Sequence, residues 1–267
     1  MKVAYYIRKE FLLEDAEVRG EIDGLRRDGV ELYRVTSASG IQPGTECLLS
    51  LGGDGTFLAA SQLALEAGVP LLGVNFGRLG FLAGARLSAV KDILLNDSGC
   101  VSSRSVLVSE RNGSPVSGSA LNEVSILRKG TGAIGLDVSV DGLQLPTYWA
   151  DGLLVATPSG STAYNLSVGG PVCYPDSKVV VLSPVAPHNL GIRPLVLPEE
   201  SVISIRLIKG IAELYMDNRR VEFGRGDELV VKVSPDRLET ISERRSNFID
   251  ALRTRFFWGR DVRNEQN

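Results

Sequence analysis

The sequence predicts an α/β amino-terminal domain on a parallel sheet, a β-rich carboxyl-terminal domain, and a closing segment that packs back on the first. Three observations predict it. Short apolar, strand-like runs alternate with amphipathic helical stretches over the first hundred or so residues. From about residue 103 nearly every segment is alternating or β-branched, punctuated by Gly, Pro or Asp-Gly. A helical pattern returns at 246. The expected domains are therefore 1–102, 103–245 and 246–267.

In order, 3–7 is a strand, 14–27 an amphipathic helix and 30–35 a second strand. Residues 47–51 form a third strand, 56–67 a helix stopped at Gly68, 70–75 a fourth strand and 87–95 a further helix. Apolar strands separated by helices of this length favour parallel pairing with both faces covered. The second domain offers strands at 105–109, 123–127, 136–140 (before the Asp141-Gly142 turn), 153–156, 178–182, 202–207 and 228–233. Their alternation and turns fit antiparallel pairing.

Bulk properties exclude several function classes. With 267 residues, 43% hydrophobic and 23% charged, the chain can bury a real core and is not disordered. A net charge of −3 and a pI near 5.4 give no electrostatic basis for a nucleic-acid or anionic-membrane partner. No apolar run reaches membrane-span length, and Met1–Ile7 reads as a buried strand rather than a leader. Cys47, Cys100 and Cys173 are far apart, which fits a reducing cytoplasm. With one histidine, His188, and no close cysteine pair, no structural zinc site is expected.

Gly52-Gly53-Asp54-Gly55-Thr56 joins the third strand to the following helix. Three glycines leave the turn almost without side-chain bulk, so backbone N–H groups and the helix N-terminus can approach a polyphosphate. Asp54 is then the one ionisable group beside that cradle, suited to taking a proton from an attacking hydroxyl. A tight turn in which Asp54 caps the helix is the alternative reading of the pentapeptide.

Two further clusters carry chemistry. Asp151-Gly-Leu-Leu-Val-Ala-Thr-Pro-Ser-Gly-Ser-Thr-Ala-Tyr164 runs a strand into a hydroxyl-rich turn and a phenol, suited to a ribose or a base edge; alone, it is also an ordinary Ser/Thr-rich turn capping a short helix. Asn122-Glu123 opens a strand. An amide can read donor and acceptor edges of adenine, and a carboxylate can hold ribose hydroxyls.

Together, GGDGT, Asn122-Glu123 and DGLLVATPSGSTAY resemble the NAD kinase family. Gly73-Val-Asn-Phe-Gly-Arg-Leu-Gly-Phe-Leu82, Gly169-Gly170-Pro171, Ala186-Pro187-His188, Arg193-Pro194-Leu195 and the tail from Asn247 to Gly259 extend the resemblance over residues 2–259. It implies a Rossmann-like first domain, a β-rich NAD-binding second domain, and phosphorylation of NAD at its adenosine 2′-hydroxyl by ATP. Asp54 would be the general base, with Gly53 and Gly55 holding phosphates. Asn122 would read adenine and Glu123 the ribose. Asp151, Thr162, Ala163, Tyr164 and Ser167 would line the dinucleotide site, with Phe81 and Ala186 as apolar walls. No Walker-type Gly-x-x-x-x-Gly-Lys motif occurs, so Mg²⁺ would ride mainly on ATP oxygens. The family also implies a homo-oligomer, dimer or tetramer.

GGDGT is shared with diacylglycerol- and sphingosine-type lipid kinases, which makes a lipid kinase the rival enzyme; a silent dinucleotide sensor is the rival of another class. His188 lies in a proline-bracketed turn without a Gly-x-Ser-x-Gly elbow, so a structural role is expected. Arg78 is a candidate phosphate contact or a solvated arginine. Trp149 and Trp258 are expected to pack, and the run at 243–245 to be solvated.

Overall fold

Lys2–Ile7 (β1), Glu31–Arg34 (β2), Cys47–Leu51 (β3) and Leu71–Asn75 (β4) lie side by side and parallel in the order β2-β1-β3-β4. The computed structural model describes residues 1–76, 80–243 and 247–256. Every residue of β3 is buried, which is why its five residues are apolar apart from Ser50.

Ala16–Arg27 (α1) buries Val18, Ile22 and Leu25, one stripe at helical spacing. It starts two residues later than its pattern suggests because Asp15 is the cap, accepting from the Glu17 and Val18 N–H groups at 2.9 and 3.3 Å. Asp54–Ala67 (α2) starts two residues earlier than expected and stops at Gly68, whose φ of +65° ends the helix.

The chain divides into two compact units, Met1–Ser103 with the described residues from Leu238 on, and Arg104–Arg237. Leu238–Ser242 corrects the sequence reading. It falls inside the expected second domain, 103–245, yet it pairs parallel to β4 and extends the first sheet, with Cys100–Arg104 next to it. Period-two alternation marks a strand but not its partner. The helix Asn247–Arg255 stays with this unit: Phe248 and Phe256 meet Phe81 at ring-centroid distances of 6.0 and 4.9 Å. Described members of the first core include Val3, Ile7, Ile22, Leu49, Leu72 and Ile93.

The second unit holds two antiparallel sheets. One runs through Ile134–Val140, Ile203–Lys209, Glu228–Val233 and Leu107–Arg111. The other runs through Leu195–Pro198, Val179–Val185, Gly152–Ala156, Glu123–Arg128 and Ala212–Met216. Their inner faces share one core, with Leu136, Ile205 and Leu229 from the first and Ile126, Leu153, Leu182 and Leu214 from the second. Among the described residues no helix is long and apolar enough to cross a membrane.

Candidate active site

The GGDGT turn falls at the carboxyl end of β3, flanked by β1 and β4, where open parallel sheets hold ligands. Gly52 is required by packing, since a Cβ there would lie 2.5 Å from Thr56 Oγ1. Gly53 and Gly55 are different: among the described residues, a Cβ on either would meet nothing within 4 Å. Within a helix glycine costs roughly 0.5–1 kcal/mol relative to alanine, so Gly55 in the first turn is not explained by packing, whereas Gly53 stands at the N-cap, where glycine is well tolerated.

Asp54 does not cap α2, because the N-cap residue is Gly53. Its carboxylate reaches across to the segment after β4. Oδ1 accepts from the Leu82 and Ala83 N–H groups at 3.2 and 3.1 Å, and Oδ2 from the Phe81 N–H at 3.1 Å. Gly80 makes this approach possible, for a Cβ there would stand 1.8 Å from Asp54 Oδ1. Two arginines from opposite ends of the chain close on the turn. Arg8 Nη1 donates to the Gly55 carbonyl at 3.4 Å, and Arg255 Nη1 lies 3.9 Å from Asp54 Oδ2.

In the second unit, Asn122-Glu123 and the hydroxyl-rich turn are built against each other. Thr157 N–H donates to the Asn122 carbonyl at 2.9 Å, Thr157 Oγ1 to the Leu121 carbonyl at 2.5 Å, and Gly160 N–H to Thr157 Oγ1 at 3.1 Å. A Cβ on Gly160 would sit 2.0 Å from the Asn122 carbonyl oxygen, so only glycine lets the two segments touch. Asn122 Oδ1 and Glu123 Oε2 are buried without a hydrogen-bond partner among the described residues. A buried polar atom left unsatisfied costs about 1–3 kcal/mol, and two neighbouring ones mark a surface prepared for a polar ligand.

Burial, and then the Asp217 charge, push the Glu123 carboxyl up from 4.5 to about 8, against the Tyr164 backbone N–H, which favours the ionised form. The folded state thus holds a proton that the unfolded chain releases. The stability tied to this proton is complete below 4.5 and is lost as pH rises to about 8. Thermal melting should therefore show Glu123→Gln flattening the decline in melting temperature across that window; a variant with the wild-type pH slope would contradict it.

A profile of the ATP-NAD kinase N-terminal domain matches residues 19–96, and one of the ATP-NAD kinase C-terminal domain matches residues 121–243. The chain belongs to the NAD kinase family. The NAD kinase of Flavobacterium psychrophilum is 38% identical over 231 residues, covering 82% of this chain and 78% of that protein. The NAD kinase of Porphyromonas gingivalis is 40% identical over 223 residues, covering 81% and 77%. Yeast NADH kinase, crystallised with NADH, shares the fold with a TM-score of 0.84 at 22% identity, over 98% of this chain and 89% of that one. An NAD kinase from Archaeoglobus fulgidus, crystallised with ATP, gives a TM-score of 0.76 at 27% identity, over 94% and 96%.

The residues singled out by resemblance to NAD kinases do not all gather. Thr162, Ala163 and Tyr164 are half-buried beside the Asn122-Glu123 segment, while Ser167 is exposed at the end of the short helix Tyr164–Ser167. Asp151 and Ala186 lie at the other end of strand Gly152–Ala156, Asp151 being six positions or roughly 20 Å from Thr157. There the Asp151 carboxylate meets Arg128 Nε at 2.7 Å, and Ala186 is exposed with a φ of +44°. Phe81 contributes its N–H to Asp54 while its ring stacks on Phe256.

His188 is exposed, its N–H on the Trp149 carbonyl at 2.7 Å. Ser161 is buried, its Oγ donating to the Pro158 carbonyl at 2.7 Å, so the two form no hydrolytic pair. Arg78, Trp258 and residues 244–245 lie outside the described residues. Three groups were missed from sequence: Arg8, Arg255 and Asp217. Each reaches its partner across dozens of residues, and no local pattern announces such a contact.

Proposed function

We propose that the chain transfers the γ-phosphate of ATP to the 2′-hydroxyl of the adenosine ribose of NAD, making NADP, with Asp54 as general base. The observation that carries this reading is the Asp54 carboxylate, fixed by three backbone N–H groups at the strand end between two glycines with open space above them. A secondary alcohol is a poor nucleophile, so the reaction needs in-line positioning and a proton acceptor. The hydroxyl oxygen bonds to the γ-phosphorus, the bond from that phosphorus to the β,γ-bridging oxygen breaks, ADP departs, and the hydroxyl proton passes to Asp54. A carboxylate offers about four acceptor positions. Among the described residues, Oδ1 spends two on Leu82 and Ala83 and Oδ2 one on Phe81, which leaves a position on Oδ2 for that proton.

Gly53 and Gly55 let donor phosphates approach the backbone, and Arg8 and Arg255 supply positive charge beside them. Asn122 and Glu123 recognise the adenosine half of NAD through the atoms that find no partner inside the protein. Among the described residues no trio of His, Cys, Asp or Glu is grouped to hold a metal. Mg²⁺ would be held mainly by the phosphate oxygens of ATP, whose charge it would offset.

Incubating the purified protein with NAD, ATP and Mg²⁺, and reading product with an NADP-specific dehydrogenase, tests the reading. Product accumulating in proportion to enzyme is expected. NAD binding without product would move the protein to the sensor class.

A further inference from the structure

The hairpin between Ala212–Met216 and Arg219–Val221 turns through Asp217, and this aspartate does more than make a turn. Its φ of +51° is tolerated by Asp, Asn and Gly, so turn geometry alone would accept any of the three. The carboxylate, however, takes three backbone donors from a segment about 95 residues earlier. Oδ2 accepts from the Leu121 N–H at 2.8 Å, and Oδ1 from the Asn122 and Glu123 N–H groups at 2.8 and 3.1 Å. The Asp217 N–H returns a bond of 2.9 Å to the Glu123 carbonyl. Met216 pairs with Val124, so these contacts begin where the strand ladder ends. One side chain thus satisfies three consecutive N–H groups that have run out of ladder.

An amide could not do this, because it has one oxygen and would press an NH₂ group against a donor. The carboxylate is kept although burial pushes the Asp217 pKa up, a cost that a hairpin residue without another duty would avoid. What the arrangement fixes is the segment bearing the two buried, unpartnered atoms, Asn122 Oδ1 and Glu123 Oε2. We propose that Asp217 is a positioning residue for nucleoside recognition, holding the backbone of residues 121–123 so that Asn122 and Glu123 present these atoms to the adenosine half of the dinucleotide. This inference rests on the NAD kinase reading and adds to it a residue outside the motifs that carried the resemblance.

The same carboxylate acts on Glu123 electrostatically. Glu123 faces Asp217 from the hairpin and the Tyr164 backbone N–H from the short helix, and Arg219 in turn faces Asp217. Asp217 is therefore one of the two causes that keep Glu123 protonated at neutral pH. Removing its charge changes both where the segment sits and when Glu123 titrates, whereas a purely structural residue would change stability alone.

The test is steady-state kinetics of wild type, Asp217→Asn and Asp217→Glu across pH, with calorimetric NAD binding alongside. For Asp217→Asn the expected result is a rise of about tenfold in the KM for NAD, the loss of one good hydrogen bond. The KM for ATP should be unchanged, and the inflection near pH 8 in the KM for NAD should move to lower pH. Asp217→Glu keeps the charge but displaces it, so it should raise the KM for NAD and retain the inflection. An unchanged KM for NAD in Asp217→Asn, or an equal rise in both KM values, overturns the proposal while leaving the kinase reading intact. Should Asp217→Asn fail to fold, Asp217→Glu decides, and an unchanged KM for NAD there overturns it. If wild type neither binds NAD nor makes NADP, the functional reading falls and the positioning role falls with it.

Discussion

Asp54→Asn is expected to lower kcat for NADP formation by about 10²–10⁴-fold, the usual contribution of a positioned base. NAD binding should survive, because in the reading above adenosine is held by Asn122 and Glu123. The substitution also has a structural consequence. An amide oxygen in the Oδ1 position keeps the bonds from Leu82 and Ala83, but its NH₂ then faces the Phe81 N–H, leaving one backbone donor unsatisfied at about 1–3 kcal/mol. A modest drop in melting temperature should therefore accompany the loss of turnover. The two effects separate when kcat is measured well below the melting point with NAD affinity measured by calorimetry. A variant that is destabilised yet turns over within tenfold of wild type would reduce Asp54 to a staple between α2 and residues 81–83.

Gly160→Ala is expected to have the largest effect on stability. The added methyl would lie 2.0, 2.4 and 2.7 Å from the carbonyl oxygen, carbonyl carbon and Cα of Asn122. All three are backbone atoms, in a segment anchored by Thr157 on one side and Asp217 on the other, so no flexible side chain can give way. Overpacking of this kind costs typically 1–3 kcal/mol and occasionally more, and the upper end of about 3 kcal/mol is expected here. The denaturation midpoint in urea reads it directly. Because the displaced segment carries Asn122, the KM for NAD should rise in whatever protein folds. A near-wild-type midpoint would mean that the contact between the turn and Asn122 relaxes easily.

The contrast between these glycines explains what could be read from sequence. The strand–turn–helix of residues 47–67 was legible because it is local: an apolar run, three glycines and a helical period follow one another along the chain. The strand Leu238–Ser242 fell inside the expected second domain, 103–245, and its place in the first sheet was not legible, since nothing local points to a partner as distant as β4. The Asp54 side chain was read as a base or a helix cap, and the bonds that hold it come from residues 27–29 positions away. Asp217 went unnoticed for the same reason, its partners lying 94–96 positions away. Family resemblance named Asp151 and Ala186 together with Asn122 and Glu123, although a strand's length separates the two pairs within the second unit. Motifs identify which residues matter, while the tertiary contacts that orient them become visible only in the fold.

The proposed reaction delivers phosphate to one hydroxyl, the 2′-hydroxyl of the adenosine ribose. Incubating the wild-type protein with ATP labelled in its γ-phosphate, and with either NAD or its 2′-deoxyadenosine analogue, addresses it most directly. Label moving into NAD and not into the analogue is the expected result. Equal labelling of both dinucleotides, or label released only as inorganic phosphate, would contradict it.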